Sequence, residues 1–172
     1  MMRRRFAIGD SSGPNVNNLQ RTFWHLALEG FQDLLEKWQR YSVEEEDDEP
    51  EGDDYTEDDF VVDAAAVLIL AGTSVTQLIG QNVDPNGDRV PPPRQAYEQL
   101  LGHPPSDDFV DFIRVYDALR HFGPPKYDAV HAITPGRLCQ HLRAAQSVWR
   151  DVLGHRGEPI GDHLRNDFVF PE

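Results

Sequence analysis

The chain has a single cysteine, Cys139, and so cannot close an internal disulfide. That suits a reducing cytosol and excludes a disulfide-stapled secreted scaffold. No C-x-x-C, H-x-x-x-H or H-E-x-x-H spacing occurs, so Cys139 and the histidines His103, His131, His141, His155 and His163 offer no zinc pattern. Cys139 reads as a small residue at the edge of the core. The longest apolar run, "FVVDAAAVLILAG" from Phe60 to Gly72, is about a dozen residues with Asp63 inside it, short of the roughly 20 that span a bilayer. The basic start "MMRRRF" lacks the apolar stretch of an export signal, because Gly9 and Asp10 end the run at once. Arg3, Arg4 and Arg5 read as a basic terminus. Strand alternation is almost missing, and no repeat of 20 to 50 residues is present. These absences point to a soluble, cytoplasmic chain in a single domain, 1–172, with no call for a cofactor, a metal or a membrane.

Positive charge is missing from one segment in particular. "EEEDDEPEGDDYTEDD", Glu44 to Asp59, holds 12 of the 30 acidic residues and no Lys, Arg or His. Removing it leaves 18 acidic against 16 basic residues, a net of −2 where the whole chain carries −14. The low isoelectric point therefore describes one segment, and it does not exclude a nucleic-acid partner. With Pro50, Gly52 and mutual repulsion, 43–59 reads as a long acidic disordered loop. Its sharper reading is a contact for a basic protein surface; its plainer one is a solvated spacer.

What is there is helical. Leu19, Phe23, Leu26, Phe31, Leu34, Leu35, Trp38 and Tyr41 recur at steps of three to five and predict a long helix over 17–41. Residues 60–81 are apolar on nearly every face, which places that helix at the centre of a bundle. "NVDPNGDRVPPP" is a turn-rich loop. Pro93 starts the next helix and Gly102 ends it. Ser106 is an N-cap with Asp107, Asp108 and Asp111 near the positive helix end, and the helix stops at Gly123 before two prolines. Thr134 and Pro135 open the last helix, which carries Leu138, Leu142, Ala145, Val148, Trp149, Val152 and Leu153 until Gly154. Residues 156–172 read as an extended tail. The prediction is an all-α bundle of four to five helices, with the acidic loop between the first two long ones.

The chemistry-bearing stretch is "FIRVYDALRHFG", 112–123. On a helical projection Phe109, Phe112, Ile113, Tyr116 and Leu119 share the core side. Arg114, Asp117 and His121 share a neighbouring stripe, with Arg114 and His121 two turns and about 10 Å apart. A histidine titrates near neutrality and moves protons, and an arginine holds phosphate oxygens with a permanent charge. Together they suffice for attack of a ribose 2′-hydroxyl on the adjacent phosphate, which has no obligatory metal. Asp117 can orient either partner. Arg120, on the core side of the projection and next to His121, is a second-choice arginine.

"RVYDALRH", with six residues between Arg114 and His121, resembles the Arg-x(four to six)-His motif of HEPN domains, and the order of helices is similar too. Val115 stands where that family often has a polar residue. The resemblance implies an all-α fold over roughly 17–155, a homodimer in which the motif helices of two copies meet, and a metal-independent ribonuclease acting on RNA in toxin–antitoxin or antiviral defence. It implies catalytic roles for Arg114 and His121, with Asp117 as a helper. Two other readings stay open. The stripe is an ordinary wet face, in which Arg114 pairs with Asp111 or Asp117. Or the chain is a non-catalytic helical interaction protein, an adaptor or antitoxin-like partner, whose acidic loop binds a basic surface.

Overall fold

In a computed structural model the chain is described over residues 16–44, 55–84, 90–121, 133–165 and 167–170. Five α-helices and no strand occur among these residues: α1 (Val16–Glu44), α2 (Glu57–Val83), α3 (Pro93–Leu101), α4 (Asp107–Arg120) and α5 (Pro135–His155). A 3-10 turn, Asp162–Leu164, follows. The predicted all-α bundle is therefore present, and its buried side chains form one core cluster. The arginines at the start of the chain, the turn at 85–89 and the stop at Gly123 lie outside the described residues.

Local chemistry sets the helix ends. Ser106 and Thr134 accept hydrogen bonds from the N–H groups of Phe109 and Arg137, as their N-cap positions require. Gly102 closes α3 in the left-handed region at φ 76, where a residue without Cβ pays no steric penalty. The acidic run behaves differently from its prediction as one loop. Thr56 accepts from the Asp59 N–H at 3.2 Å while Asp59 accepts from the Thr56 N–H at 2.9 Å, a reciprocal cap that starts α2 at Glu57. Glu57, Asp58 and Asp59 then sit at the positive helix end, so three of the acidic residues belong to a helix start. Residues 45–54 lie outside the described ones.

The buried stripe of α1 also departs from the prediction. Leu19 and Leu26 are 45% and 42% exposed, whereas Gln20, Trp24, Ala27, Phe31 and Leu34 face inward. The spacing 20, 24, 27, 31, 34 follows the 3.6-residue period, and Leu19 and Leu26 lie on its flank. Helix α2 is central, touching α1, α3, α4 and α5. It extends to 27 residues, longer than its apolar run, and by length and composition it passes as a membrane span. Its apolar side chains instead supply the core, from Phe60 through Leu68 and Val75 to Ile79.

At the middle of α2, Gly72 lies against the Tyr116 ring of α4, and a Cβ there would overlap the ring. Thr73 is 3.2 Å from the Tyr116 hydroxyl. Ser74 donates to the Gln20 carbonyl of α1 at 2.8 Å and accepts from Trp149 Nε1 of α5 at 3.1 Å.

Among the described residues from 156 to 170 no α-helix occurs, and the segment predicted as an extended tail contains the 3-10 turn and packs on the bundle. Phe168 is 1% exposed, edge-on to Trp24 and Phe31 with centroids at 6.3 and 5.3 Å. Phe170 packs on Phe31, Trp38 and Phe60. Arg143 and Arg150 of α5 donate to the carbonyls of Phe168 and Leu164. The segment thus fills the groove between α1 and α5.

Two stability outcomes follow. Gly72→Ala gains about 1 kcal/mol of helix propensity but overpacks the Tyr116 contact, so a net loss of about 1–3 kcal/mol is expected in denaturant unfolding. Phe168→Ala empties a filled aromatic site at the far end of the chain and is expected to cost about 3–5 kcal/mol, read as a lowered unfolding midpoint.

Candidate functional site

Helix α4 has one face committed to the core. Phe109, Phe112, Val115, Tyr116, Ala118 and Leu119 are buried, and Ile113 is half-buried beside them. Val115, at 6% exposure, belongs to this buried face, where a polar side chain would need a partner. The N-terminal half of the helix is clasped to α5: Arg137 holds Asp111 at 3.2 Å and Gln140 donates to Asp108 at 2.8 Å.

The predicted site residues lie at the other end. Arg114 and Arg120 are exposed, Asp117 is half-buried, and His121 is exposed. His121 is the C-cap: its N–H still bonds to the Asp117 carbonyl at 3.1 Å, and its φ of −115 and ψ of 65 turn the chain off the helix. Arg114 and His121 are thus both exposed, about two turns apart along the helix axis. Arg120 does not point into the core as predicted. Its guanidinium turns outward and lies over the Tyr116 ring at 5.1 Å, since a buried, unpaired guanidinium is costly and a ring face near water holds it well.

The wet-face reading had Arg114 pairing with Asp111 or Asp117. Asp111 is taken by Arg137, and among the described residues no ion pair engages Arg114, Asp117, Arg120 or His121. The negative end of the α4 dipole falls among Arg120 and His121, where cations are favourable. The edge thus offers a forked donor, a proton carrier and a carboxylate, all open to water.

Two further histidine sites are less legible in the sequence. His141 of α5 is 1% exposed beneath the Arg137–Asp111 pair, 6.1 Å from the Phe112 ring, and its Nδ1 has no hydrogen-bond partner. Burial holds its pKa below the ordinary 6.5; Asp111 and Asp108 oppose this, and Arg137 adds to it. His25, which no spacing in the sequence marks, lies 5.2 Å from the ring of His163. Cys139 is buried, its thiol pushed up in pKa by that burial and so kept as the neutral thiol. His131 lies outside the described residues.

The fold and the edge define a class: an all-helical bundle with an arginine–histidine edge at the end of its fourth helix. No protein-family model matches the chain, and no curated protein or solved structure is significantly similar to it.

The buried histidine gives a pH signature. The unfolded chain protonates this imidazole near 6.5 and the folded chain only at lower pH, so below 6.5 the unfolded state binds more protons. Stability then rises with pH through that window and falls as pH drops below it. His163, also lowered by burial, adds in the same direction. His141→Leu is expected to reduce this slope, measured as unfolding midpoints between pH 5 and 7.5; an unchanged slope would remove His141 from the acid response.

Proposed function

We propose that the chain is a HEPN-like, metal-independent ribonuclease acting through Arg114 and His121. The observation that supports this is the state of Arg114: of its two carboxylates at helical spacing, Asp111 is engaged by Arg137, and the exposed Arg114 side chain has no ion pair among the described residues. A ribose 2′-hydroxyl loses its proton to His121 as the 2′-oxygen bonds to phosphorus. The bond from phosphorus to the 5′-oxygen breaks, and that oxygen takes a proton from the His121 of a second copy. The products are a 2′,3′-cyclic phosphate and a 5′-hydroxyl. Arg114 offers two parallel donors to the non-bridging oxygens, where charge builds up. Asp117 orients His121 across one turn, and Arg120 adds positive potential beside it.

A single copy presents these groups on an open edge, where water weakens every electrostatic contact. A second α4 edge packed against the first would exclude that water and supply the second histidine, which is why the working form is a homodimer. The alternative, an interaction protein using Glu44–Asp59, has less support, because at the described end of that stretch Thr56 and Asp59 are occupied in capping α2.

The test is cleavage of single-stranded RNA by wild type, His121→Ala and Arg114→Ala. The histidine change should lower the rate by about 10²–10⁴-fold and the arginine change by about 10²-fold or more. Both side chains are exposed, so the unfolding free energy should stay within about 0.5 kcal/mol. Undiminished cleavage by His121→Ala sinks the assignment, and an inert wild type returns the chain to the interaction reading.

A further inference from the structure

Arg21 and His25 are one turn apart on α1 and share a face of it. The 3-10 turn is docked onto the same helix: Trp24 Nε1 donates to the His163 carbonyl at 3.0 Å, and Arg150 reaches across from α5 to the Leu164 carbonyl at 2.7 Å. Leu164 is fully buried, so the turn is held from both sides. The His163 ring lies over Gly161, where a Cβ would overlap it, and sits 5.2 Å from the ring of His25 with the planes tilted by 45°. Two imidazoles from residues 138 positions apart in sequence are thereby brought together, with Arg21 one turn before His25 on the same helix.

This arrangement gathers positive charge. Burial, then His25, then Arg21 lower the proton affinity of His163, and Asp162 opposes them. The charged neighbours are Arg21, Arg156 and Arg165 against Glu158 and Asp162. Glu158 is shared between Arg156 at 2.6 Å and Arg21 at 3.8 Å, and Asp162 lies 3.6 Å from Arg165 with its carboxylate in water. Three permanent cations face two anions, before any proton is added to the imidazoles. Among the described residues no third His, Cys, Asp or Glu completes a metal-holding group with the two histidines, and Arg21 beside them repels a cation.

We propose that Arg21, His25 and His163 form a binding site for a phosphate dianion, either free or as the end of a phosphate monoester. Arginine provides a forked pair of charge-assisted donors suited to phosphate oxygens, and each imidazole provides a ring N–H donor. A phosphate monoester loses its second proton near pH 6 and is a dianion around neutrality, where Arg21 supplies the permanent positive charge and the imidazoles supply ring N–H donors. The site does not draw on the Arg114 edge and stands whether or not that edge is catalytic.

The test uses the full chain with inorganic phosphate in one arm and glycerol phosphate in the other, following histidine ring resonances by NMR at pH 6.5. The ring signals of His25 and His163 should move together and saturate, while those of the exposed His103 and His155 stay put. The tighter of the two probes identifies the source. Arg21→Ala and His25→Gln should each weaken binding at least about tenfold. Absence of any shift at either ring up to concentrations on the order of 10 mM overturns the proposal. Shifts that persist undiminished in Arg21→Ala overturn it equally, and the thermal midpoint of each variant shows that the fold is intact.

Discussion

The closeness of α4 to α2 at Gly72 is the constraint on which the rest of the bundle depends. The Tyr116 ring occupies the volume that any side chain at 72 would need. Helices pack this tightly only where one of them gives up its Cβ, and the gain is contact that a wider gap would forfeit. The next two residues complete the arrangement. Thr73 meets the Tyr116 hydroxyl, and Ser74 joins α1 to α5 through Gln20 and Trp149. Three consecutive residues thus fix three neighbouring helices. Ser74 is fully buried, so loss of its hydroxyl would leave the Trp149 N–H without its partner in an apolar interior.

From that fixed point the two ends of α4 have opposite characters. Its N-terminal half is capped by Ser106 and clasped by Arg137 and Gln140, and its inner face is aromatic. Its C-terminal half carries Arg114, Arg120 and His121 exposed and Asp117 half-buried, without an ion pair from the described residues. A helix positions such side chains better than a loop would, because backbone hydrogen bonds hold everything except the rotamers. The C-terminal segment serves the opposite corner: Phe168 and Phe170 seal the groove between α1 and α5, and in doing so hold the 3-10 turn that brings His163 to His25.

The sequence made the helix ends legible where a single residue type decides them. Ser106, Thr134, Pro135 and Gly102 all act as their chemistry predicts, because capping is a local event. The central position of α2 was equally legible, since only a helix surrounded by others tolerates apolar residues on nearly all faces. Reading the acidic run as one loop missed the cap at Thr56 and Asp59, because bulk charge obscured a two-residue pattern. Arg120 was misplaced because a projection gives the direction of Cβ, while a long side chain can turn its head to water. The tail was underread because burial of Phe168 and Phe170 depends on a groove made by α1 and α5. His25 and His163 were beyond reach for the same reason: 138 positions separate them, and only the docking of the turn on α1 brings them together.

A net charge of −14 opposes the two proposed phosphate-binding clusters only if it is spread evenly, and it is not. Screening at physiological ionic strength limits exposed charges to about 8 Å. The described acidic residues of the run, Glu57, Asp58 and Asp59, sit in the first turn of α2, while α4 meets that helix at Gly72 and Thr73. Fourteen residues separate Asp59 from Thr73, about 21 Å of helix axis and more than two screening lengths. The acidic start of α2 is therefore largely invisible where Tyr116 docks. Near Arg21, Glu158 is shared with Arg156, and Asp162 is paired with Arg165. Local sign, not the total, governs what approaches each cluster, and at both clusters the local sign is positive or becomes so when a histidine takes a proton.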